Sequence, residues 1–355
     1  MHFSFSRVRV VRWRWLLPAL TMVASSVSGC ATHYQLEPRR TAEVGGPSWF
    51  GPPQAREQER LLRWERAVGP PFVMHHEPSA DLPRATSDLL LVSWNVAVGE
   101  GDVLALLTDL RARDRRRPLV LLLQEAYREG DDVPQTLAAE SVVAGRLGLD
   151  GGKRRREDIE SIAAASGLNA YYVPSMRNGS PADSREDRGN AILTNLPLDD
   201  LGALELPFER QRRVAVAATV SGTSEDGTPW RIRLLSAHLD NLVGARRLWI
   251  AGGGFARARQ ARALVDFVRH DEVAILGGDF NTWFGFAEPA FQETARAFPD
   301  TEVSDFRATF RGLLRLDHLF FRLPDGWRAE FSRGESRYGS DHFPLVAQVH
   351  IGHLL

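Results

Sequence analysis

Along the second part of the chain, apolar residues come in short runs, and most of those runs stop abruptly at a polar side chain. From residue 88 onward this pattern predicts strands at 89–96, 119–124, 170–173, 190–194, 214–220, 232–236, 274–276, 318–321 and 345–350. Helices are predicted at 103–115, 159–166, 255–269 and 289–297; in the third of these, Ala258, Ala261, Leu264, Val265 and Val268 recur at helical spacing. Many strands with fewer helices predict two packed sheets flanked by helices. The charged stretch 128–156 has no clear strand pattern and reads as an inserted loop with a helix around 136–147.

The first residues break this pattern. Arg7, Arg9, Arg12 and Arg14 precede an apolar run over 15–27, which is too short to cross about 30 Å of hydrocarbon and reads as a signal peptide. The run ends in Val27-Ser28-Gly29-Cys30, which resembles a bacterial lipobox, and Cys30 is the only cysteine in the chain. Residues 1–29 are therefore expected to be a lipoprotein signal, with Cys30 lipidated and the chain anchored at the cell envelope through that lipid. Residues 30–87 carry many prolines and glycines around a short helical island at 54–67, with Leu61, Leu62 and Trp64 as its apolar face. They read as a tether, leaving 88–355 as the folded domain.

Composition then bounds the class. A 355-residue chain with 43% hydrophobic and 25% charged residues folds as a globular protein. With one cysteine there is no disulfide to rely on, so the fold rests on its core. Losing four signal arginines leaves 44 − 4 = 40 basic against 45 acidic residues, a net −5, so bulk charge does not recruit nucleic acid. The arginine clusters at 111–117, 153–156 and 210–213 read as solvated faces or loops, and His75-His76 as loop residues.

The chemistry sits at the strand ends. Residues 274–282 form a buried run that stops at Gly277-Gly278 and then presents Asp279 and Asn281 on one side of an extended chain, with Phe280 on the other. A carboxylate can orient a water there and a carboxamide can donate to a phosphoryl oxygen. Other runs end alike: Ser93-Trp94-Asn95, Gln124-Glu125, Ser236-Ala237-His238, Leu316-Asp317-His318 and Ser340-Asp341-His342. A polar group ending an apolar strand costs burial unless it finds a partner, so six such ends point to one shared site.

Together with Gly189-Asn190-Ala191-Ile192-Leu193, this ordered set resembles the endonuclease/exonuclease/phosphatase superfamily over about residues 88–351. The resemblance implies a four-layer α/β sandwich with a deoxyribonuclease I-like fold, in which two mixed β-sheets pack face to face with flanking helices and the site lies at one rim. It implies a divalent metal, Mg²⁺ or Mn²⁺, held chiefly by Glu125 with Asn95 and Asp341. His342, oriented by Asp317, becomes general base or phosphate-contacting imidazole. Asp279 manages the attacking water, and Asn281 and His238 hold the phosphoryl oxygens. The implied reaction is in-line hydrolysis of a phosphate ester by a monomer.

Two positions depart from the family pattern. Arg188 and Gly189 stand where an acid would support His238, and Asp187 or Glu186 is a conditional substitute. Arg213 is read either as a ligand of the substrate phosphate or as a solvent-facing loop residue, while Asp240 and His318 are left outside the catalytic set. The substrate stays open between nucleic acid, a phospholipid or sphingomyelin-type phosphodiester, and a phosphomonoester. Arg177, Arg185, Arg188, Arg210, Arg212 and Arg213 would suit the first if their loops converge, and an apolar loop at 249–255 would suit the second. A surface lipoprotein that binds without turnover is the reading of another class.

Overall fold

The computed structural model describes residues 35–40, 46–77, 85–113, 117–135, 155–178, 185–241 and 249–352. The signal segment, Cys30 and the helix expected around 136–147 lie outside the described residues. Those residues belong to one compact unit, His33–Leu355. In chain order its elements are β1 (Glu37–Arg40), β2 (Ser48–Gly51), α1 (Ala55–Glu65), β3 (Phe72–Met74), β4 (Asp88–Asn95), α2 (Val103–Arg113) and β5 (Leu119–Glu129). Next come α3 (Ile159–Ser166), β6 (Asn169–Asn178), β7 (Glu186–Thr194), β8 (Asp199–Glu205), β9 (Val214–Thr223) and β10 (Pro229–His238). The last are α4 (Trp249–Phe267), β11 (Ala274–Asp279), α5 (Pro289–Ala297), β12 (Asp317–Arg322), β13 (Arg328–Arg333) and β14 (Leu345–His350).

They build two mixed seven-stranded sheets, ordered β1-β2-β8-β9-β10-β11-β12 and β13-β14-β4-β5-β7-β6-β3. One core lies between the sheets, with Leu91, Leu122, Ile192, Val216, Leu234 and Ile275 fully buried in it. A second gathers α2 and α3 over one sheet through Val103, Leu107 and Ile162, and a third gathers α4 and α5 over the other through Ala261, Leu264 and Ala290. The result is the expected four-layer sandwich. The same layering explains the continuous apolar runs. In β5, Val120 and Leu122 face the other sheet while Leu119, Leu121 and Leu123 face the helices. Both faces are buried, so no polar alternation survives. Each buried aliphatic side chain contributes about 1.5–3 kcal/mol.

The tether reading fails for residues 37–74. β1 and β2 extend the first sheet, with β2 parallel to β8, and β3 pairs with β6 in the second. Trp49 enters the inter-sheet core, Trp64 of α1 meets Phe208 at 5.9 Å, and Phe72 meets Tyr172 at 5.6 Å. These strands are short and lie at or near sheet edges, where proline- and glycine-rich sequence is tolerated. β8 and β13 were also not expected; their exposed faces carry charges that interrupt the apolar signal. The apolar loop expected at 249–255 is instead the start of α4. At Gly254 an added Cβ would lie 3.2 Å from Pro289, so glycine lets α4 approach α5 closely.

Candidate active site

Backbone register assembles the site. β10 runs parallel to β11 and β11 antiparallel to β12, which sets His238 opposite Asp279 and Asp279 opposite Asp317 in one row across three strands. This row needs Gly278, because a Cβ there would lie 2.0 Å from the Ala237 carbonyl oxygen. On the facing sheet, Asn95 ends β4 opposite Gln124 of β5. Directly after it, the β5–β7 ladder breaks between Leu123 and Ala126, and Glu125 occupies the irregularity at φ 52°. A non-glycine residue in that region stores about 1–3 kcal/mol of strain, and Asn281 does the same at φ 50°. Bulges of this kind re-aim a side chain.

Hydrogen bonds then tie the two sheets together behind the row. Gln124 Nε2 donates to Ser236 Oγ at 2.9 Å, and the Ser236 hydroxyl donates to the Leu123 carbonyl at 2.9 Å. The loop before β14 is pinned to β4 by two bonds and braced by one within itself. Ser340 Oγ donates to the Asn95 carbonyl (2.7 Å), His342 N donates to Ser340 Oγ (3.0 Å), and Trp94 Nε1 donates to the His342 carbonyl (3.1 Å).

At the centre, His342 Nδ1 lies 2.7 Å from Asp317 Oδ2. Asp279 Oδ2 accepts from Asn95 Nδ2 at 3.0 Å and lies 3.4 Å from His238 Nε2 and 3.8 Å from His342 Nε2. Asp279 Oδ1 accepts from the Asn281 backbone N–H at 2.9 Å, while Asn281 Nδ2 donates to the Leu239 carbonyl at 2.9 Å. Burial, reinforced by the neighbouring Asp317 charge, lifts the Asp279 carboxyl to about 7. Burial works against a charge on His342 as well, but the charge and hydrogen bond of Asp317, with the charges of Asp279 and Asp341, together outweigh it and raise the imidazole to about 10. His238 is pushed well below the ordinary histidine range, first by burial and then by the charges of Arg213 and Arg188. The two imidazoles are therefore held in opposite states, His342 cationic and His238 neutral.

Glu125 lies 4.0 Å from His238 Nδ1, and its side chain is 15% exposed. Asp341 Oδ1 is 3.9 Å from His342 Nε2, and Arg311 lies 3.6 Å from its other oxygen. Glu125 and Asp341 thus offer carboxylate oxygens beside the row, and Asn95 Oδ1, which accepts the Ala97 N–H at 2.9 Å, can add a carbonyl oxygen; hard oxygen donors of this kind fit a divalent cation. Asp279, Asp317 and His342 are also mutually within 4.8 Å. The Asp317–His342 hydrogen bond uses only His342 Nδ1 and Asp317 Oδ2, so His342 Nε2 and Asp317 Oδ1 leave these three residues as a second candidate set for an ion.

Arg213 joins the site. It shares a recess of about 10 Å³ with His238, Glu125, Arg188 and Asn190. One guanidinium nitrogen donates to Gln211 Oε1 at 2.9 Å, and its buried Nε has no hydrogen-bond partner among the described residues. The solvated reading of 210–213 is thus corrected for Arg212 and Arg213, while Arg210 is exposed as expected. Arg212 is fully buried, with Nε donating to Glu205 at 2.9 Å and a terminal nitrogen donating to the Pro174 carbonyl at 2.9 Å. Arg177 is buried too, which removes it from any basic rim.

The conditional supports of His238 do not reach it. Asp187 accepts from Arg128 at 2.6 Å and from the Tyr172 hydroxyl at 2.6 Å, and Glu186 accepts from Arg156 and Asn178. Asp240 and His318 act as structure. Asp240 accepts the Arg210 and Gln211 backbone N–H groups at 2.8 and 2.9 Å, which holds the loop carrying Arg213. His318 Nε2 lies 2.7 Å from Thr282 Oγ1, with its ring packed among Phe280, Phe286, Phe291 and Phe320. Sequence reasoning missed Thr309, whose hydroxyl accepts the Asp317 N–H at 3.2 Å, because nothing in its loop context marks it.

The sequence model described as "Endonuclease/Exonuclease/phosphatase family" matches residues 92–342, a span that holds every residue of the row. Among solved structures, an endonuclease/exonuclease/phosphatase from Beutenbergia cavernae DSM 12333 is 16% identical with a TM-score of 0.50, covering 75% of this chain and 72% of its own. An endonuclease/exonuclease/phosphatase family protein from Leptotrichia buccalis C-1013-b is 15% identical with a TM-score of 0.48, covering 74% and 99%. A 3′-5′ exonuclease (NExo) from Neisseria meningitidis is 18% identical with a TM-score of 0.43, covering 73% and 98%. At such identity the likeness speaks for the fold alone. No curated protein matches the sequence.

Proposed function

The chain belongs to the endonuclease/exonuclease/phosphatase family, whose members are metal-dependent phosphoester hydrolases, and we propose that it is a phosphodiesterase held at the cell envelope by a lipid on Cys30. The observation that carries the catalytic reading is the row His238–Asp279–Asp317, closed by His342 at 2.7 Å from Asp317. Asp279 orients the attacking water and takes its proton; a carboxyl lifted to about 7 is matched to that work at neutral pH. His342, kept cationic by Asp317, faces the phosphoryl oxygens. Of the two roles open to it, contact with the phosphoryl group fits its charge better than proton abstraction.

Neutral His238, Asn281 and Arg213 complete the phosphoryl cradle. The unpartnered Nε of Arg213 supplies a donor that a substrate oxygen would satisfy. Asn95, Glu125 and Asp341 would hold Mg²⁺ or Mn²⁺, which when bound supplies a Lewis acid to a phosphoryl oxygen. Water attacks phosphorus in line, the P–O bond to the leaving alkoxide breaks, and no covalent enzyme intermediate forms. A pure binding module has no use for this complete set of base, cation and oxygen donors.

Hydrolysis of bis-p-nitrophenyl phosphate by the purified protein is expected to stop with chelator, recover with Mg²⁺, and fall by about a hundredfold or more in Glu125→Gln, the scale of a lost catalytic electrostatic contact. Activity indifferent to chelator and Glu125→Ala together would sink the mechanism. Turnover of soluble phosphomonoesters, with plasmid DNA and phospholipid vesicles both untouched, would move the protein to the phosphatase branch.

A further inference from the structure

Strand register locates where the chain enters the domain. Glu37 of β1 pairs with Gly51 of β2, and Phe50 pairs with Leu204, so Gly51 stands level with Glu205. Glu205 pairs with Val214, and because Ser236 pairs with Val216, His238 stands level with Val214. The first strand residue therefore lies in the same row as His238, Asp279 and Asp317, at the catalytic end of the sheet. β1 is four strands from β10, about 19 Å at ~4.8 Å per strand. Seven residue steps from Cys30 to Glu37 span at most about 25 Å of chain at ~3.3–3.6 Å each. A lipid on Cys30 would tie the catalytic end to a membrane on a short leash.

That same end exposes large apolar side chains, set among exposed charges such as Arg307 and Arg311. Phe284, 55% exposed, follows the catalytic Asn281 by three residues, and its N–H donates to Glu288. Phe306, 69% exposed, shares an edge contact with Phe286 at 5.7 Å. Leu313, 79% exposed, sits on the turn whose Arg311 N–H donates to the Asp341 carbonyl. Phe255, 76% exposed, lies on α4 beside Gly254, which packs against Pro289, and near Arg257, which is bound to Glu288. Single exposed apolar residues are ordinary; four large ones around one rim mark a docking surface.

We infer that the rim carrying Phe255, Phe284, Phe306 and Leu313 docks on a lipid bilayer and presents the catalytic row to phosphodiesters at its surface. The inference deepens the phosphodiesterase reading, and its anchoring argument rests on the reading of Cys30, whereas the exposed rim does not. Aromatic rings could instead stack on bases, but an aliphatic Leu313 and a net −5 without the signal arginines do not favour a polyanion.

The compact unit 33–355, which lacks both signal and lipid, tests the rim alone. It is expected to sediment with vesicles of phosphatidylethanolamine and phosphatidylglycerol. Phe284→Asp and Phe306→Asp should each lower the partition coefficient roughly tenfold or more. Hydrolysis of soluble bis-p-nitrophenyl phosphate should stay within about twofold of the parent. Vesicle binding absent in the parent, or unchanged in both variants, overturns docking. So does capture of single-stranded oligonucleotide that the same variants abolish. Vesicle binding without any phosphodiester turnover would instead overturn the catalytic reading and leave docking intact.

Discussion

Asp317→Asn separates a catalytic role for the Asp317–His342 pair from a structural one. The asparagine keeps the volume, and its carbonyl oxygen can still accept from His342 Nδ1, but the largest of the charges that hold the imidazole cationic is gone. A charge-assisted hydrogen bond at 2.7 Å contributes about 1.5–3 kcal/mol net, so a transition state that depends on it loses about ten- to a hundredfold in kcat. The fold loses little. Among the described residues Asp317 Oδ1 is buried without a hydrogen-bond partner, and its charge repels Asp279, so two unfavourable contributions vanish along with the ion pair. Urea denaturation should shift by less than about 1–2 kcal/mol, the scale of one neutral hydrogen bond. The assay is steady-state hydrolysis of bis-p-nitrophenyl phosphate at saturating Mg²⁺, with the His342 ring state followed by nitrogen NMR. A kcat within twofold of the parent, or a large stability loss with the imidazole still cationic, would refute the assignment.

Three further outcomes follow from the same geometry. Asp187→Ala strips Arg128 of its buried partner, removes the acceptor of the Tyr172 hydroxyl, and should cost about 3–5 kcal/mol in chemical denaturation. Asp305 is held well below the usual carboxylate range, first by Arg307 and then by the Arg307 and Arg333 backbone N–H groups. A depressed folded value stabilises above the unfolded value of ~3.9 and fades as pH falls through the folded one, so the stability gap between the parent and Asp305→Asn should narrow below pH ~4. Cys30→Ser should move the protein out of the membrane fraction of the producing cell, and unchanged partitioning would defeat the lipid anchor.

The strand ends were legible because each pairs a run of buried apolar residues with a polar group that costs energy unless it is used. His238, Asp279, Asp317 and His342 meet as that logic required. What the sequence hides is how strands from both halves of the chain line up. Nothing near Asp187 announces that it serves Arg128 and Tyr172 rather than His238, since those partners lie on other strands. Nor do Gln211, Arg212 and Arg213 look buried until Glu205 and Asp240 supply their partners.

The largest misreading, the tether, came from composition. Proline and glycine around 38–53 and 70–71 signal loop, yet a short edge strand needs hydrogen bonds on one side only and tolerates both residues. Correcting it changes the function as well as the fold. A flexible tether of 58 residues (30 through 87) would span about 40 Å at ~5–6 Å times the square root of its length and would leave the orientation of the domain free. Once β1 begins at Glu37 in register with the catalytic row, a link of only six residues (31 through 36) separates it from Cys30, and the catalytic end is the end at which β1 begins. Lengthening that link by inserting a glycine–serine segment after residue 33 tests the coupling. Turnover of vesicle-borne phosphodiester by the lipidated protein should fall as the link grows, while turnover of a soluble diester stays constant. Equal behaviour of the two substrates would show that entry point and exposed rim act independently.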